Sequence, residues 1–102
     1  MPLTLVYIPC PSEDNAREIT RHLLEKKIIA CANLFPIRSM FWWEGKIVDD
    51  YEHVIVAKTT SYALVKKEVE KIHEYEKPCI LKISAEANKK YMDWVKTQIK
   101  LK

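Results

Sequence analysis

The chain has 102 residues, 48% hydrophobic and 30% charged, proportions that fit one soluble globular domain and exclude disordered, collagen-like and membrane-spanning classes. Seventeen Lys and Arg against fourteen Asp and Glu leave a net charge of +3, too weak an excess to argue for nucleic acid as a partner. Three cysteines, Cys10, Cys31 and Cys79, form no C-x-x-C pair and lie in apolar runs, as reduced buried thiols do; with a first apolar run far shorter than a membrane span, this predicts a cytoplasmic protein with no membrane partner.

The first element is a strand from Leu3 to Cys10, rich in β-formers and closed by Pro9 and Pro11. Ser12 then caps an amphipathic helix over residues 12–27, with Glu13 and Asp14 at its positive end and Ala16, Ile19, Leu23 and Leu24 at helical spacing. From Ile28 to Thr60 the helical period gives way to β-branched and aromatic residues, which predicts two long strands joined by a tight turn at Glu44-Gly45. Gly45 is the residue that takes a positive φ there without steric cost. Pro36 marks a bend or an edge in the first arm. Ser61 caps a second helix with Val65, Val69 and Ile72 on one stripe, ending near His73. The run CILKISA alternates as a strand, and Asn88 opens a last helix carrying Tyr91, Trp94, Val95 and Ile99. The order is βαββαβ with an additional C-terminal helix, which by connection rules makes an α+β, ferredoxin-like plait in a single domain.

In such a plait helices cover one sheet face, and strands alternate apolar and polar if the other face meets water. These strands do not alternate. VIVA at 54–57 is apolar throughout, and MFWW at 40–43 puts large side chains on both sides of its strand. Left bare, that surface exceeds what soluble monomers tolerate. The pattern therefore predicts self-association, with a long protruding hairpin carrying Phe41, Trp42 and Trp43 past its own sheet and Gly45 turning it. The number of subunits does not follow from the pattern.

Among residues that carry chemistry, His73 is the leading metal-ligand candidate, since imidazole suits Cu(II) and Zn(II); the alternative is a histidine that only complements a helix C-terminus. Cys31 reads either as a soft ligand or nucleophile, or as a small apolar residue among Ile29, Ala30 and Ala32. Cys10 reads similarly, with its place at a strand end making it more reachable. Lys58 stands out in an apolar strand, as a snorkelling stem or as an anion or interface contact. Tyr75 and Trp94 line a cleft or complete the core. His22 and His53 read as solvated or strand-edge residues, and Asp49-Asp50 as an acidic turn that a hard cation could visit. No nucleophile-elbow, P-loop or dinucleotide motif is present, and one glycine cannot build a multi-glycine phosphate cradle, so no enzymatic activity is expected.

ACANLFP at 30–36, SMFWWEGKI at 39–47, KTT at 58–60 and the H-x-Y-x-x-P of His73 to Pro78 resemble the CutA family, the divalent-cation tolerance proteins. The resemblance runs from the first strand to the YMDW of the last helix. It implies a ferredoxin-like subunit, a homotrimer with interlocked hairpins, so that Phe41, Trp42, Trp43 and Gly45 become trimer-interface residues, and binding of copper or another divalent cation without a required cofactor. Where the family commonly reads His-Pro-Tyr this chain has His73-Glu74-Tyr75, and where it reads Pro-Glu the chain has Pro78-Cys79. Cys79 thereby becomes a softer candidate ligand in place of a carboxylate, alongside His73 and Cys31.

Three readings follow: a trimeric metal-tolerance protein; a regulatory or scaffolding trimer that binds a small molecule or protein in intersubunit clefts; and an RNA-binding plait whose strand aromatics stack on bases. The last lacks the K/R-G-F/Y-G/A-F core signature.

Overall fold

Alternation along the first strand sorts the protein into two unequal layers. In the computed structural model, which describes residues 2–100, β1 (Pro2–Cys10) turns Val6, Ile8 and Cys10 into a core with no solvent contact, while Leu3 and Leu5 belong to a second, smaller cluster. The larger core is closed by α1 (Glu13–Glu25) through Ala16, Ile19 and Leu23, and by α2 (Tyr62–Ile72) through Val65 and Val69. Each such aliphatic side chain contributes about 1.5–3 kcal/mol by leaving water. The remaining elements are β2 (Cys31–Trp43), β3 (Lys46–Thr59), β4 (Leu81–Glu86) and α3 (Lys89–Gln98). The strands form one sheet in the order β2-β3-β1-β4 with every neighbouring pair antiparallel, the expected ferredoxin-like plait.

Local chemistry sets the helix ends. Ser12 and Ser61 are N-caps whose hydroxyl oxygens accept from the amides of Asn15 and Leu64 at 3.1 and 3.4 Å. The C-terminus of α1 closes in a Schellman motif: the Ile28 amide reaches the Leu23 carbonyl at 3.2 Å and the Lys27 amide the Leu24 carbonyl at 3.0 Å. Lys27 occupies the left-handed position, φ 58°, where glycine is usual. The buried side chains of Ile28 and Leu23 join the same core, which holds the motif despite the lysine.

Between the helices, Glu68 is almost fully covered and collects three basic side chains: His22 Nε2 at 2.9 Å, Lys71 Nζ at 2.9 Å and Lys26 Nζ at 3.6 Å. His22, expected to be solvated, instead donates to this carboxylate across the α1–α2 packing.

The other sheet face is covered only at one end. There α3 sets Met92, Val95 and Ile99 against Leu3 and Ala30. The stripe expected to include Trp94 is rotated: Met92, Val95 and Ile99 follow the i, i+3, i+7 period, leaving Trp94 43% exposed and Tyr91 at the flank. Register places Tyr7, Asn33, Phe35, Val56, Leu81 and Ile83 on the uncovered remainder of this face.

β2 and β3 pair without a break from Cys31↔Lys58 to Trp43↔Lys46, whereas β1 reaches only as far as the Cys10↔His53 pair. Everything beyond that point is a two-stranded ribbon, and it stretches the molecule to 45 × 24 × 20 Å. Pro36 lies in β2, an edge strand of the sheet, where a missing N–H is tolerated. At the tip both Glu44, φ 50°, and Gly45, φ 78°, are left-handed, as a type I′ turn requires. The glycine was legible; the second positive φ was not, because it follows from matching the strand twist rather than from the residue.

Replacing Lys27 by glycine relieves a left-handed non-glycine residue and should raise stability by roughly 0.5–1 kcal/mol, read as a higher urea midpoint with unchanged slope. The hydrogen bond from His22 and then that from Lys71 hold the Glu68 carboxyl well below the usual range, at about 2. A carboxylate depressed in the fold stabilises it above its unfolded value of 4.5 and loses that contribution as pH falls toward about 2. Glu68→Gln should therefore lower stability at neutral pH and flatten the acid limb between those values, measured by urea titrations across the range.

Candidate functional site

Two groups of chemically capable side chains lie outside the helix-covered core. The first surrounds a cleft of about 660 Å³ between one side of the hairpin and the segment that leads from α2 to β4. Phe41, Trp43, Asp50 and Glu52 line it from the hairpin, and Tyr75 and Cys79 from the connecting segment. His73 braces that segment. Its Nε2–H donates to the Pro9 carbonyl at 2.9 Å, and its Nδ1 accepts from the Tyr75 amide at 3.0 Å. The tautomer follows from the partners, since a carbonyl only accepts and an amide N–H only donates. Tyr75 in turn donates its hydroxyl to Glu52 Oε2 at 2.6 Å and stacks at 4.9 Å from the His73 ring. Burial first, then this bond to Glu52, pushes the Tyr75 phenol well above its ordinary value.

His73 in this geometry has no ring lone pair left for a metal. The ring instead ties the end of β1 to the wall of the cleft. Cys79 lies exposed at the cleft, its thiol pushed up by burial and by Glu52.

The second group sits where α3 meets the open sheet face. Cys31 Sγ lies 3.1 Å from Tyr91 Oη, and Lys58 Nζ stands 5.4 Å from the centre of the Tyr91 ring. Partial burial works to lower the Lys58 pKa, but Cys31 and Tyr91 beside it outweigh this, and the net shift is upward. Tyr91 is raised, by burial and then by its bond to Cys31. Trp94 packs its ring 5.6 Å from that of Tyr91. Cys31 and Lys58 are cross-strand partners, so the strand register that builds the hairpin also assembles this trio.

The cleft candidates thus separate: Lys58 and Trp94 flank Tyr91, whereas Tyr75 belongs to the hairpin cleft. His73, Cys31 and Cys79 form no common centre, and among the described residues no three His, Cys, Asp or Glu side chains are grouped to hold a metal ion. Cys10, expected to be reachable, is fully buried and pushed up to about 12 by burial and by Glu52 and Glu74. Asp49 and Asp50 lie within β3, not in a turn, and point to opposite sides as strand neighbours must. Asp49 takes Arg38 in two bonds of 2.8 and 3.2 Å, while Asp50 faces the cleft. His53 lines a groove beside α1. Tyr91 and Glu52, central to the two groups, carried no sequence signal of their own; strand register and helix phase place them.

At the hairpin, Trp42 is 71% and Trp43 47% exposed, and Met40, Phe41, Ile47 and Tyr51 are exposed as well. A four-stranded plait with an open face and an apolar ribbon beyond it defines a ferredoxin-like class of domains that present sheet and hairpin outward. The sequence matches the CutA1 divalent ion tolerance protein family over residues 4–98. The divalent-cation tolerance protein CutA of Archaeoglobus fulgidus is 46% identical over 93 residues, 88% of this chain and 91% of its own length. That of Thermotoga maritima is 42% identical over 100 residues, 95% and 99% of the two chains. A solved structure described as the periplasmic divalent cation tolerance protein CutA from Archaeoglobus fulgidus superposes with a TM-score of 0.92 at 42% identity, covering 96% of this chain and 99% of that one. CutA1 from Pyrococcus horikoshii superposes with a TM-score of 0.93 at 33% identity, over 96% and 99%. The chain belongs to the CutA family.

Removing the His73 ring leaves the Pro9 carbonyl and the Tyr75 amide without their partner. His73→Ala should destabilise the protein by about 1–3 kcal/mol in urea unfolding. A midpoint equal to that of the wild type would show that the connecting segment is held by other contacts.

Proposed function

We propose that the chain acts as a homotrimer in divalent-cation tolerance, as a binding protein rather than an enzyme, with copper as its cation. The observation that carries the assembly is the apolar second face together with a hairpin extending beyond its own sheet, surfaces that a lone subunit would leave in water. Family membership supports the cation role. Copper is favoured by the available donors, since Cys31 and Cys79 are thiols outside the deep core and soft sulfur ligands select Cu(I). With no three-ligand group among the described residues of one chain, donors from neighbouring subunits would complete such a site, which ties cation binding to assembly. Free thiols at Cys10, Cys31 and Cys79 favour a reducing compartment, and we assign the cytoplasm. Neither a nucleic-acid nor a membrane partner is part of this reading.

The hairpin cleft supports a second reading, a regulatory trimer that holds a small molecule, because its volume of about 660 Å³ and its mixture of rings and carboxylates suit such a ligand.

Sedimentation and calorimetry test both. Replacing Trp42 and Trp43 together by alanine should convert the trimer to smaller or aggregated species, since each such anchor is worth on the order of 2 kcal/mol. Cu(I) titrated in a reducing buffer should bind the wild-type trimer and bind Cys79→Ser and Cys31→Ser more weakly. Undiminished binding by both serine variants would remove the copper assignment. An undisturbed trimer in the double tryptophan variant would remove the hairpin from the interface.

A further inference from the structure

On the helix-covered side of the sheet, a groove of about 550 Å³ runs between α1 and the strands β2 and β3. Leu34 and His53 line it from the sheet, and Arg17, Thr20, Arg21 and Leu24 from the helix. Helical spacing builds that wall, since Arg17 and Arg21 stand one turn apart and so do Thr20 and Leu24. Register puts the two sheet residues on this side: Leu34 faces Ile55 and His53 faces Cys10 across the ladder, and Ile55 and Cys10 belong to the helix-covered core. The groove is therefore separate from the open face, and it shares no lining residue with the hairpin cleft. Its polar groups are unspent. Thr20 is only 8% exposed, yet its hydroxyl oxygen has no hydrogen-bond partner, a state that buried polar groups rarely keep. Among the described residues the side chains of Arg21 and His53 have no ion pair or hydrogen bond, and Arg17 has one exposed contact of 3.8 Å with Glu13, which is worth little.

We propose that this groove binds a small aliphatic monocarboxylate, with Arg21, Thr20 and His53 holding the carboxylate and Leu24 and Leu34 taking the hydrocarbon body. A guanidinium, a hydroxyl and an imidazole N–H are all donors, and the planar fork of an arginine matches the two oxygens of a carboxylate. Leu24 is exposed and Leu34 half-buried, so both leave apolar surface for a ligand to cover. Glu13 and Glu25 also line the groove. Their charges oppose a phosphate or a polyanion more than a single carboxylate, which sets the class of ligand.

The test titrates the native protein, washed with chelator, with isocaproate, with the uncharged isocaproamide and with inorganic phosphate, following backbone amide shifts by NMR. Isocaproate should saturate with shifts centred on Arg21, Leu24 and His53, and the amide and phosphate should each bind about tenfold or more weakly. Arg21→Gln should weaken isocaproate by about tenfold. Thr20→Val should also weaken it while leaving the urea midpoint unchanged or raised, because an unpaired buried hydroxyl is removed; a purely structural threonine would shift the midpoint and leave affinity alone. Absence of saturation by isocaproate, equal binding of the amide, or tighter binding of phosphate overturns the proposal. So do shifts centred on Tyr75 and Cys79, which would put the ligand in the hairpin cleft, and undiminished affinity in both variants.

Discussion

The rest of the structure depends on one imbalance: two helices cover one face of the sheet, and a third, short helix covers only an end of the other. Burial of Val6, Ile8, Ile55, Val65 and Val69 makes the covered face a conventional core. The second face has the same kind of side chains, Phe35, Val56, Leu81 and Ile83 among them, but no layer above most of it. The hairpin adds to the imbalance because its ladder continues after β1 has ended. A lone subunit would pay for this surface in water, whereas a neighbour laid across it recovers the same burial energy that holds the covered face.

Both candidate sites are by-products of the same construction. The hairpin rises from the end of β1, and the segment after α2 must cross that end to reach β4. His73 and Tyr75 fasten the crossing through Pro9 and Glu52, and the cleft is the space left between ribbon and segment. At the far end of the ribbon's strands, the pairing of Cys31 with Lys58 meets the flank of α3. One thiol, Cys31, lies beside Tyr91 and Lys58 at one end, and another, Cys79, lies at the hairpin cleft at the other. The fold separates them by the length of the sheet strands instead of gathering them into one centre.

Much of this was legible because it rests on period and punctuation. Ser12 and Ser61 announce their helices, Gly45 announces the turn, and the unbroken apolar run at 54–57 announces a strand with apolar side chains on both sheet faces. The failures share a different origin. Trp94 looked like core because its size dominates the last helix, but helix phase is set by Met92, Val95 and Ile99 together. His22 looked solvated because its sequence neighbours are charged, while its actual partner, Glu68, lies 46 residues away. For His73, read as a metal-ligand candidate or a helix-end histidine, the local pattern carried no sign of the Pro9 and Tyr75 backbone groups that its ring nitrogens bond in the tertiary fold. Long-range partners are invisible to local pattern, and polar side chains are the residues whose roles such partners decide.

Small-angle scattering from the native protein addresses the central claim, that the open face and hairpin belong to an interface between copies. The account predicts a particle of three times 12.0 kDa with a radius of gyration well above the 14.2 Å of one subunit. A 12.0 kDa particle with a radius near 14.2 Å across the concentration series would contradict it, and would leave the aromatic ribbon as a surface for some other ligand.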